Sequence, residues 1–274
     1  MDNFEGRITV VTGAGSGIGR ALAHAFARAG ARVVAADVEA GALDETAASS
    51  DAITPMVADV SRYGDVLDLA DHAFETFGIV DVLCNNAGVF AGGLIWERSD
   101  SDFEWTLGVN LWGILHGIRA FVPRMIAAQR PAHIVNTVSM AGLCSTPFTA
   151  PYNVSKFAAL AATECLAHDL AAVGAPIDVS VVVPSAVASR IGSSGRNRPD
   201  RLAGVASDDA TFVEQALVDL TAQGLDPAEA AAIILDAIRD RTYLVPTKPS
   251  FAAQLRERDT ALLERRLPPV PAFD

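Results

Sequence analysis

Short apolar runs rich in Val, Ile and Ala alternate along the chain with longer, alanine-rich stretches in which apolar residues recur at helical spacing. The short runs are apolar at nearly every position rather than at every second one, which is typical of strands buried on both faces of a parallel sheet. They predict strands at 7–12, 32–36, 53–58, 80–84, 133–138, 177–183 and 242–245. The stretches between them predict helices at 18–30, 41–50, 63–77, 100–128, 152–173 and 227–240.

This regular alternation favours one fold class. Parallel strands must be joined by right-handed crossovers, and the connecting helices then cover both faces of the sheet. We therefore predict an α/β protein, a doubly wound parallel sheet of about seven strands flanked by helices, with residues 1–274 forming a single domain. The main shift in composition is at 189–209, which is rich in Arg, Ser, Gly and Asp, and we interpret it as an insertion within that domain.

The composition excludes several classes of function. The chain has 21 Lys and Arg against 33 Asp and Glu, and its net charge of −12 repels nucleic acid and anionic lipid. We therefore expect no nucleic-acid and no membrane partner. The first residues are acidic, unlike a signal peptide, and no apolar run reaches the roughly 18 residues of a membrane span. Three cysteines without a CxxC pair and five scattered histidines predict no metal site and a reducing, cytoplasmic location.

A glycine-rich segment, Thr-Gly-Ala-Gly-Ser-Gly-Ile-Gly at 12–19, lies between the first predicted strand and the first predicted helix. Glycines there permit a tight turn, and the helix N-terminus offers unpaired N–H groups to a pyrophosphate. We therefore predict that the phosphates of a dinucleotide bind along Gly13, Gly15, Ser16, Gly17, Ile18 and Gly19.

Acidic residues after the next two strands extend this predicted site. Asp37 comes 18 residues after Gly19, the distance at which a carboxylate accepts hydrogen bonds from the adenosine ribose. It would repel a 2′-phosphate, and neither Ser16 nor Val38 is basic, so NAD is favoured over NADP. Asp59 and Val60 end the third strand at the same edge, where an adenine can rest.

Candidate catalytic residues follow later in the chain. Tyr152 and Lys156 are four residues apart at the start of a predicted helix and therefore share one face. An ammonium beside a phenol lowers the phenol pKa, so the pair can exchange a proton with an alcohol near neutral pH. Ser139 ends the fifth strand, where it can polarise a carbonyl, and Asn110 lies inside a long helix, where it can bind water or cap a kink.

Together with Asn85-Asn86-Ala87-Gly88 after the fourth strand, these motifs resemble the short-chain dehydrogenase/reductase family over about residues 4–189. The resemblance implies a Rossmann fold in which Tyr152 is the general acid and base. Lys156 would lower its pKa and bind the nicotinamide ribose, Ser139 would hold the substrate oxygen, and Asn110 would position a water. It also implies cofactor contacts at Val38, Asn86, Ala87, Gly88, Tyr152, Lys156, Pro184, Val187 and Ser189.

Two residues depart from the family pattern. Ser185 stands where the family has Gly after Pro184, which adds a side chain beside the substrate, and Ser189 stands where the family has Thr. The insertion, taken as 189–224 with an amphipathic stretch at 211–220, is predicted to close over the substrate as a lid. The predicted substrate walls are Phe90, Ser139, Met140, Leu143, Phe148, Tyr152 and Ser185.

We therefore predict an NAD-dependent short-chain alcohol dehydrogenase or ketone reductase that acts on a bulky, apolar secondary alcohol or ketone. One alternative is a 3-ketoacyl reductase acting on an acyl carrier protein, although Asp37 and the acidic charge oppose it. Another is a non-catalytic nucleotide-binding protein on the same fold, which would have no need to retain all four catalytic side chains. The resemblance further implies a homotetramer with helices 100–128 and 152–173 at an interface.

Overall fold

The computed structural model describes residues 3–204 and 206–271. Within them, seven parallel strands form one sheet in the order β3-β2-β1-β4-β5-β6-β7. These strands are β1 Ile8–Thr12, β2 Arg32–Asp37, β3 Ile53–Val57, β4 Val82–Asn85, β5 Ala132–Thr137, β6 Ile177–Val183 and β7 Leu244–Pro246. The predicted fold class is confirmed. The strand order reverses between β1 and β4, and such a reversal opens a crevice at the carboxyl ends of the strands.

Helices cover both faces of this sheet. Successive side chains of β1 point to opposite faces: Val10 packs with Leu83 and Phe121 on one side, and Val11 packs with Phe26 on the other. One apolar core therefore lies on each side of the sheet, in agreement with the prediction from the continuous apolar runs. In the part of the chain described, the helices are α1 Gly17–Arg28, α2 Ala40–Ala47, α3 Tyr63–Phe77, α4 Asp100–Leu107, α5 Gly113–Ala127, α6 Ala150–Ala172, α7 Asp208–Ala222, α8 Pro227–Asp240 and α9 Phe251–Leu263.

The predicted helix at 100–128 is in fact two helices. A π-helical turn at Gly108–Trp112 joins α4 to α5. This wider turn carries Asn110 into the interior, where its side chain is fully buried. A π turn redirects a side chain without ending the helix, so the apolar spacing of the sequence does not reveal it.

Two further helices extend beyond the sequence prediction. α7 is longer than the amphipathic stretch at 211–220, and α9 was not predicted at all. Only Ala261 of α9 is buried, so this helix lacks the apolar stripe that would have indicated it. Among the residues described, no helix combines the length and apolar character needed to cross a membrane.

Candidate active site

The glycine-rich turn between β1 and α1 packs closely against the segment after β4. Gly13 and Gly17 have φ values of 68° and 49°, a region that glycine adopts without strain. A Cβ on Gly13 would lie 2.7 Å from Ala87 Cα, and one on Gly19 would lie 2.1 Å from the Gly13 carbonyl oxygen. The turn therefore presents backbone rather than side chains at the N-terminus of α1, as a pyrophosphate site requires.

Asp37, the last residue of β2, is held beside this turn by two backbone N–H groups. Gly15 N donates to Oδ2 at 2.7 Å, and Glu39 N donates to Oδ1 at 3.0 Å. A Cβ on Gly15 would lie 2.8 Å from the same Oδ2, so glycine at this position permits the close approach. The carboxylate is thus fixed in place, with lone pairs left over for hydroxyl donors.

A cleft of about 1020 Å³ runs along the carboxyl edge of the sheet from the glycine-rich turn to the inserted segment. Four of the predicted site residues do not line it: Gly15, Gly19, Asn110 and Leu143. The predicted residues that do line it are Gly13, Ser16, Gly17, Ile18, Asp37, Val38, Asp59, Val60, Asn86, Ala87, Gly88, Phe90, Ser139, Met140, Phe148, Tyr152, Lys156, Pro184, Ser185, Val187 and Ser189.

Three predicted catalytic side chains meet in this cleft. Tyr152 lies in the first turn of α6, and its hydroxyl group shares a hydrogen bond with that of Ser139. Lys156 lies one turn further along α6 and donates from Nζ to the Thr137 carbonyl oxygen at 2.9 Å. Its Nζ lies 5.7 Å from the centre of the Tyr152 ring. The carboxyl end of β5 and the first turns of α6 therefore bring all three groups together.

Burial has the largest effect on the pKa values of this cluster. It raises the pKa of Tyr152, and the hydrogen bond with Ser139 offsets only part of the rise. It lowers the pKa of Lys156 to about 7. The prediction that Lys156 lowers the pKa of Tyr152 is therefore wrong. Burial removes both side chains from water, which disfavours the phenolate of Tyr152 and the ammonium of Lys156. At neutral pH, Tyr152 consequently holds its proton.

Asn110 lies beside the cluster, in the π turn. Its Oδ1 accepts from Val89 N at 2.8 Å, and its Nδ2 donates to Val89 O and to Ser155 Oγ, both at 2.9 Å. Both amide protons are thus used within the fold, and the predicted water is not held by that amide nitrogen. A Cβ on Gly88 would lie at ordinary contact distance, 3.5 Å from Asn110 Oδ1 and 3.6 Å from Lys156 Nζ, so Gly88 lies next to both side chains.

The structure corrects one predicted substrate contact. The Leu143 side chain packs in an apolar cluster with Ile114, Val138 and Val181, away from the cleft. A single 3₁₀ turn at Met140–Gly142 comes just before it, and the neighbouring Cys144 lines the cleft instead. Burial raises the pKa of that thiol, which leaves it protonated and unreactive at neutral pH.

The two departures from the family pattern, Ser185 and Ser189, both line the cleft. Ser185 lines the cleft, and its backbone N donates to Thr247 Oγ1 at 3.1 Å. Ser189 packs against the glycine-rich turn, because a Cβ on Gly17 would lie 2.9 Å from its Cβ. The inserted segment therefore begins in direct contact with the predicted phosphate site.

Helix α7 supplies cleft residues that the sequence did not single out. Phe212, Val213 and Leu217 line the cleft from this helix. The ring of Phe212 meets that of Phe148 edge-on, with 6.3 Å between the ring centres. Phe148 itself has a φ of 61°, a strained backbone conformation for a bulky residue. The amphipathic pattern at 211–220 was the available signal, although it could not show which face of the helix turns inward.

Ion pairs hold this inserted segment against the body of the protein. Arg98, which is almost fully buried, pairs with Asp209 at 3.3 Å and also donates to Ser207 Oγ at 2.7 Å. Arg198 pairs with the buried Asp102 of α4 at 2.7 Å. The segment is therefore folded down over the cleft, with charged groups at its contacts.

A dinucleotide-type crevice with a Ser, Tyr and Lys cluster at its centre defines a nucleotide-dependent oxidoreductase. A family model described as short chain dehydrogenase matches residues 7–199. A 1-deoxy-11-beta-hydroxypentalenate dehydrogenase of Streptomyces avermitilis is 45% identical over 184 residues, which cover 65% of this chain and 67% of that protein. A C alpha-dehydrogenase of a Sphingobium species is 31% identical over 280 residues, which cover 98% of this chain and 89% of that one.

A solved structure agrees with these relatives. A short chain dehydrogenase/reductase from Burkholderia phymatum, crystallised in complex with NAD, superimposes with a TM-score of 0.96 at 39% identity and covers 100% of both chains. This chain belongs to the short-chain dehydrogenase/reductase family, and it is an oxidoreductase. The alternative of a non-catalytic nucleotide-binding protein is therefore wrong.

Proposed function

We propose that this protein is an NAD(H)-dependent dehydrogenase that interconverts a secondary alcohol and the corresponding ketone. The observation that carries the proposal is the hydrogen bond between Tyr152 and Ser139 beside the buried Lys156, inside the cleft. A phenol and a hydroxyl directed at one point can together hold a carbonyl or alcohol oxygen and exchange a proton with it.

The residues present fit NAD(H). The glycine-rich turn leaves no room for side chains where Gly13 and Gly19 pack, so backbone N–H groups at the start of α1 face the cleft for the pyrophosphate. Asp37 is oriented for the adenosine ribose and is unsuited to a 2′-phosphate. The Burkholderia phymatum relative that was crystallised with NAD supports the same choice. When bound, the nicotinamide exchanges a hydride with the substrate carbon.

The protein's own groups handle the proton. Tyr152 gives its proton to the ketone oxygen in reduction and takes it from the alcohol in oxidation, while Ser139 holds that oxygen by a hydrogen bond. Lys156, anchored on the Thr137 carbonyl, favours the phenolate whenever its ammonium is charged. Because the pKa of Lys156 is lowered to about 7, this group changes charge in the physiological range and can pass a proton onward.

We propose a bulky, mostly apolar substrate. The Phe90 ring lies 5.2 Å from that of Tyr152, and Met140 follows Ser139 directly. Phe148 and Phe212 close the outer part of this wall. Apolar walls near the reacting groups favour cyclic or aryl alcohols over small or anionic ones, because an anion would lose water without gaining a partner there. The segment at 189–224 would act as the lid over this substrate.

We also propose, on the resemblance to the family, that the chain assembles as a homotetramer in the cytoplasm. All three cysteines, Cys84, Cys144 and Cys165, are free, which supports a reducing compartment. Light scattering at micromolar concentration tests the assembly, and a monomer would contradict it.

A panel of secondary alcohols tests the proposed function. Each alcohol is mixed with the protein and NAD⁺, and the reduced cofactor is followed by its absorbance. We expect cyclic and aryl secondary alcohols to react faster than short-chain or carboxylate-bearing ones. Turnover only of thioesters of an acyl carrier protein would instead support the 3-ketoacyl reductase alternative.

A further inference from the structure

Two arginines of the inserted segment reach the adenosine end of the cleft. Arg190 and Arg196 line the same cleft as Asp37 and Glu39. Arg190 directly follows Ser189, the residue that packs against the glycine-rich turn. From Val33 to Ser61, the stretch that follows the first residue of β2, the sequence contains no basic residue that could bind a 2′-phosphate. The fold nevertheless brings two guanidinium groups to this position from more than 150 residues away.

Glu39 pairs with both of these arginines. Its Oε1 accepts from Arg196 Nη2 at 2.6 Å and from Arg196 Nε at 3.1 Å, and Asn197 Nδ2 donates to the same oxygen at 2.8 Å. Arg190 Nη2 lies 3.4 Å from Oε2. The hydrogen bond from Arg196 keeps the pKa of Glu39 below its usual range, so this carboxylate stays charged at neutral pH.

The third arginine of this region is directed elsewhere. Arg20 on α1 donates from Nη2 to the carbonyl oxygens of Gly15 at 2.6 Å and Ala42 at 2.9 Å, and it pairs with Glu45 at 3.0 Å. It does not line the cleft. Arg201 also lines the cleft, but it pairs with Glu104 of α4 at 3.0 Å. Arg190 and Arg196, which pair with Glu39 two residues after Asp37, are therefore the basic groups that a phosphate on the adenosine ribose would meet.

Guanidinium groups bind phosphates by charge-assisted, often bidentate hydrogen bonds, and a nearby Arg is the usual partner of a 2′-phosphate. Without the ion pairs of Glu39, both arginines could bind a 2′-phosphate, and the repulsion from Asp37 would be opposed by two positive charges. We propose that Glu39 is a second determinant of cofactor choice, which pairs with Arg190 and Arg196 and so withholds them from the 2′-phosphate of NADP(H). This role rests on the proposed function of the cleft, and it assigns cofactor discrimination to an ion pair between β2 and the inserted segment.

A simpler role for Glu39 predicts a different result. If its ion pairs only held the inserted segment down, their loss would weaken NAD and NADP binding by the same factor. If Glu39 instead keeps the two arginines away from the 2′-phosphate, its loss should change the ratio of the NAD and NADP dissociation constants. The ion pair between Arg201 and Glu104, 3.0 Å long, provides a matched control because it joins the same segment to α4.

The experiment measures dissociation constants of NAD⁺ and NADP⁺ by calorimetry, with quenching of Trp105 and Trp112, which line the cleft, as a second readout. For Glu39→Gln we expect NADP⁺ to bind about three- to fivefold more tightly and NAD⁺ to change less than about twofold, the size expected for a partly exposed charge. Adding Arg190→Gln and Arg196→Gln should abolish that gain. Glu104→Gln should leave the ratio unchanged.

A second variant tests the opposite direction. Arg196→Gln leaves Glu39 without its main partner, so NADP⁺ should bind more weakly than to the wild type while NAD⁺ binding is retained. An unchanged ratio in both Glu39→Gln and Arg196→Gln would overturn the role of Glu39, as would equal weakening for both cofactors. Failure of the wild-type protein to bind either dinucleotide would instead refute the proposed function.

Discussion

Replacing Tyr152 by Phe removes a single oxygen atom from the centre of the proposed site. The aromatic ring would keep its contact with Phe90, 5.2 Å away, and its position 5.7 Å from Lys156 Nζ. What is lost is the hydrogen bond with Ser139 and the group that exchanges the proton. Ser139 retains a donor, because Ala141 N donates to its Oγ at 3.1 Å. The variant should therefore fold and leave the cleft in its present shape.

The loss of the hydrogen bond should have a small effect on binding and stability, whereas the loss of the proton-exchanging group should have a large effect on rate. A neutral hydrogen bond contributes about 1 kcal/mol, so cofactor affinity should change less than about fivefold and stability by about 1 kcal/mol or less. A positioned general acid or base contributes roughly 10²- to 10⁴-fold to rate. We therefore expect turnover to fall by roughly a hundredfold or more while NAD⁺ binding is nearly unchanged.

The assay compares NAD⁺ titrations with single-turnover rates on the best alcohol from the panel. Tyr243→Phe is a matched control, because Tyr243 is a partly exposed tyrosine that does not line the cleft. Its substitution should leave both binding and turnover intact. If Tyr152→Phe retained more than about a tenth of wild-type turnover, Tyr152 would not be the general acid and base.

Three further predictions follow from the site. NAD⁺ should bind at least about tenfold more tightly than NADP⁺, because the ribose hydrogen bond to Asp37 and its repulsion of a 2′-phosphate together amount to about 1.5–3 kcal/mol. Asp37→Ala should bring the two dissociation constants closer together. Equal dissociation constants for the wild type would contradict this prediction. Because burial raises the pKa of Tyr152, the small phenolate fraction needed for oxidation increases with pH, so kcat/KM for oxidation should rise from about pH 7 to about pH 9. Over the same range kcat/KM for reduction should change little, because Tyr152 stays protonated there. An oxidation optimum below neutral pH would refute it. Arg98→Met removes the partner of Asp209, so hydrogen exchange across 190–224 should become faster, and cofactor with substrate should slow it in the wild type; no change in either comparison would show that the segment does not act as a lid.

Much of this architecture follows from local patterns in the sequence. Runs that are apolar at every position can be buried only between two layers, so they predict a sheet covered on both faces. The glycine spacing, Asp37 at the end of β2, and the four-residue spacing of Tyr152 and Lys156 each lie within one element or one turn. Such features are local, so their geometry depends little on the rest of the chain.

Other features were decided by contacts between distant parts of the chain. Asn110 turns inward through a π turn whose side-chain partners, Val89 and Ser155, lie 21 and 45 residues away. The raised pKa of Tyr152 follows from burial, which no spacing along the chain can express. Arg196 reaches Glu39 across 157 residues of sequence, so the charge next to the adenosine site is determined by how the inserted segment folds back over β2. The sequence alone determined which groups are available, and packing determined their partners and their charges.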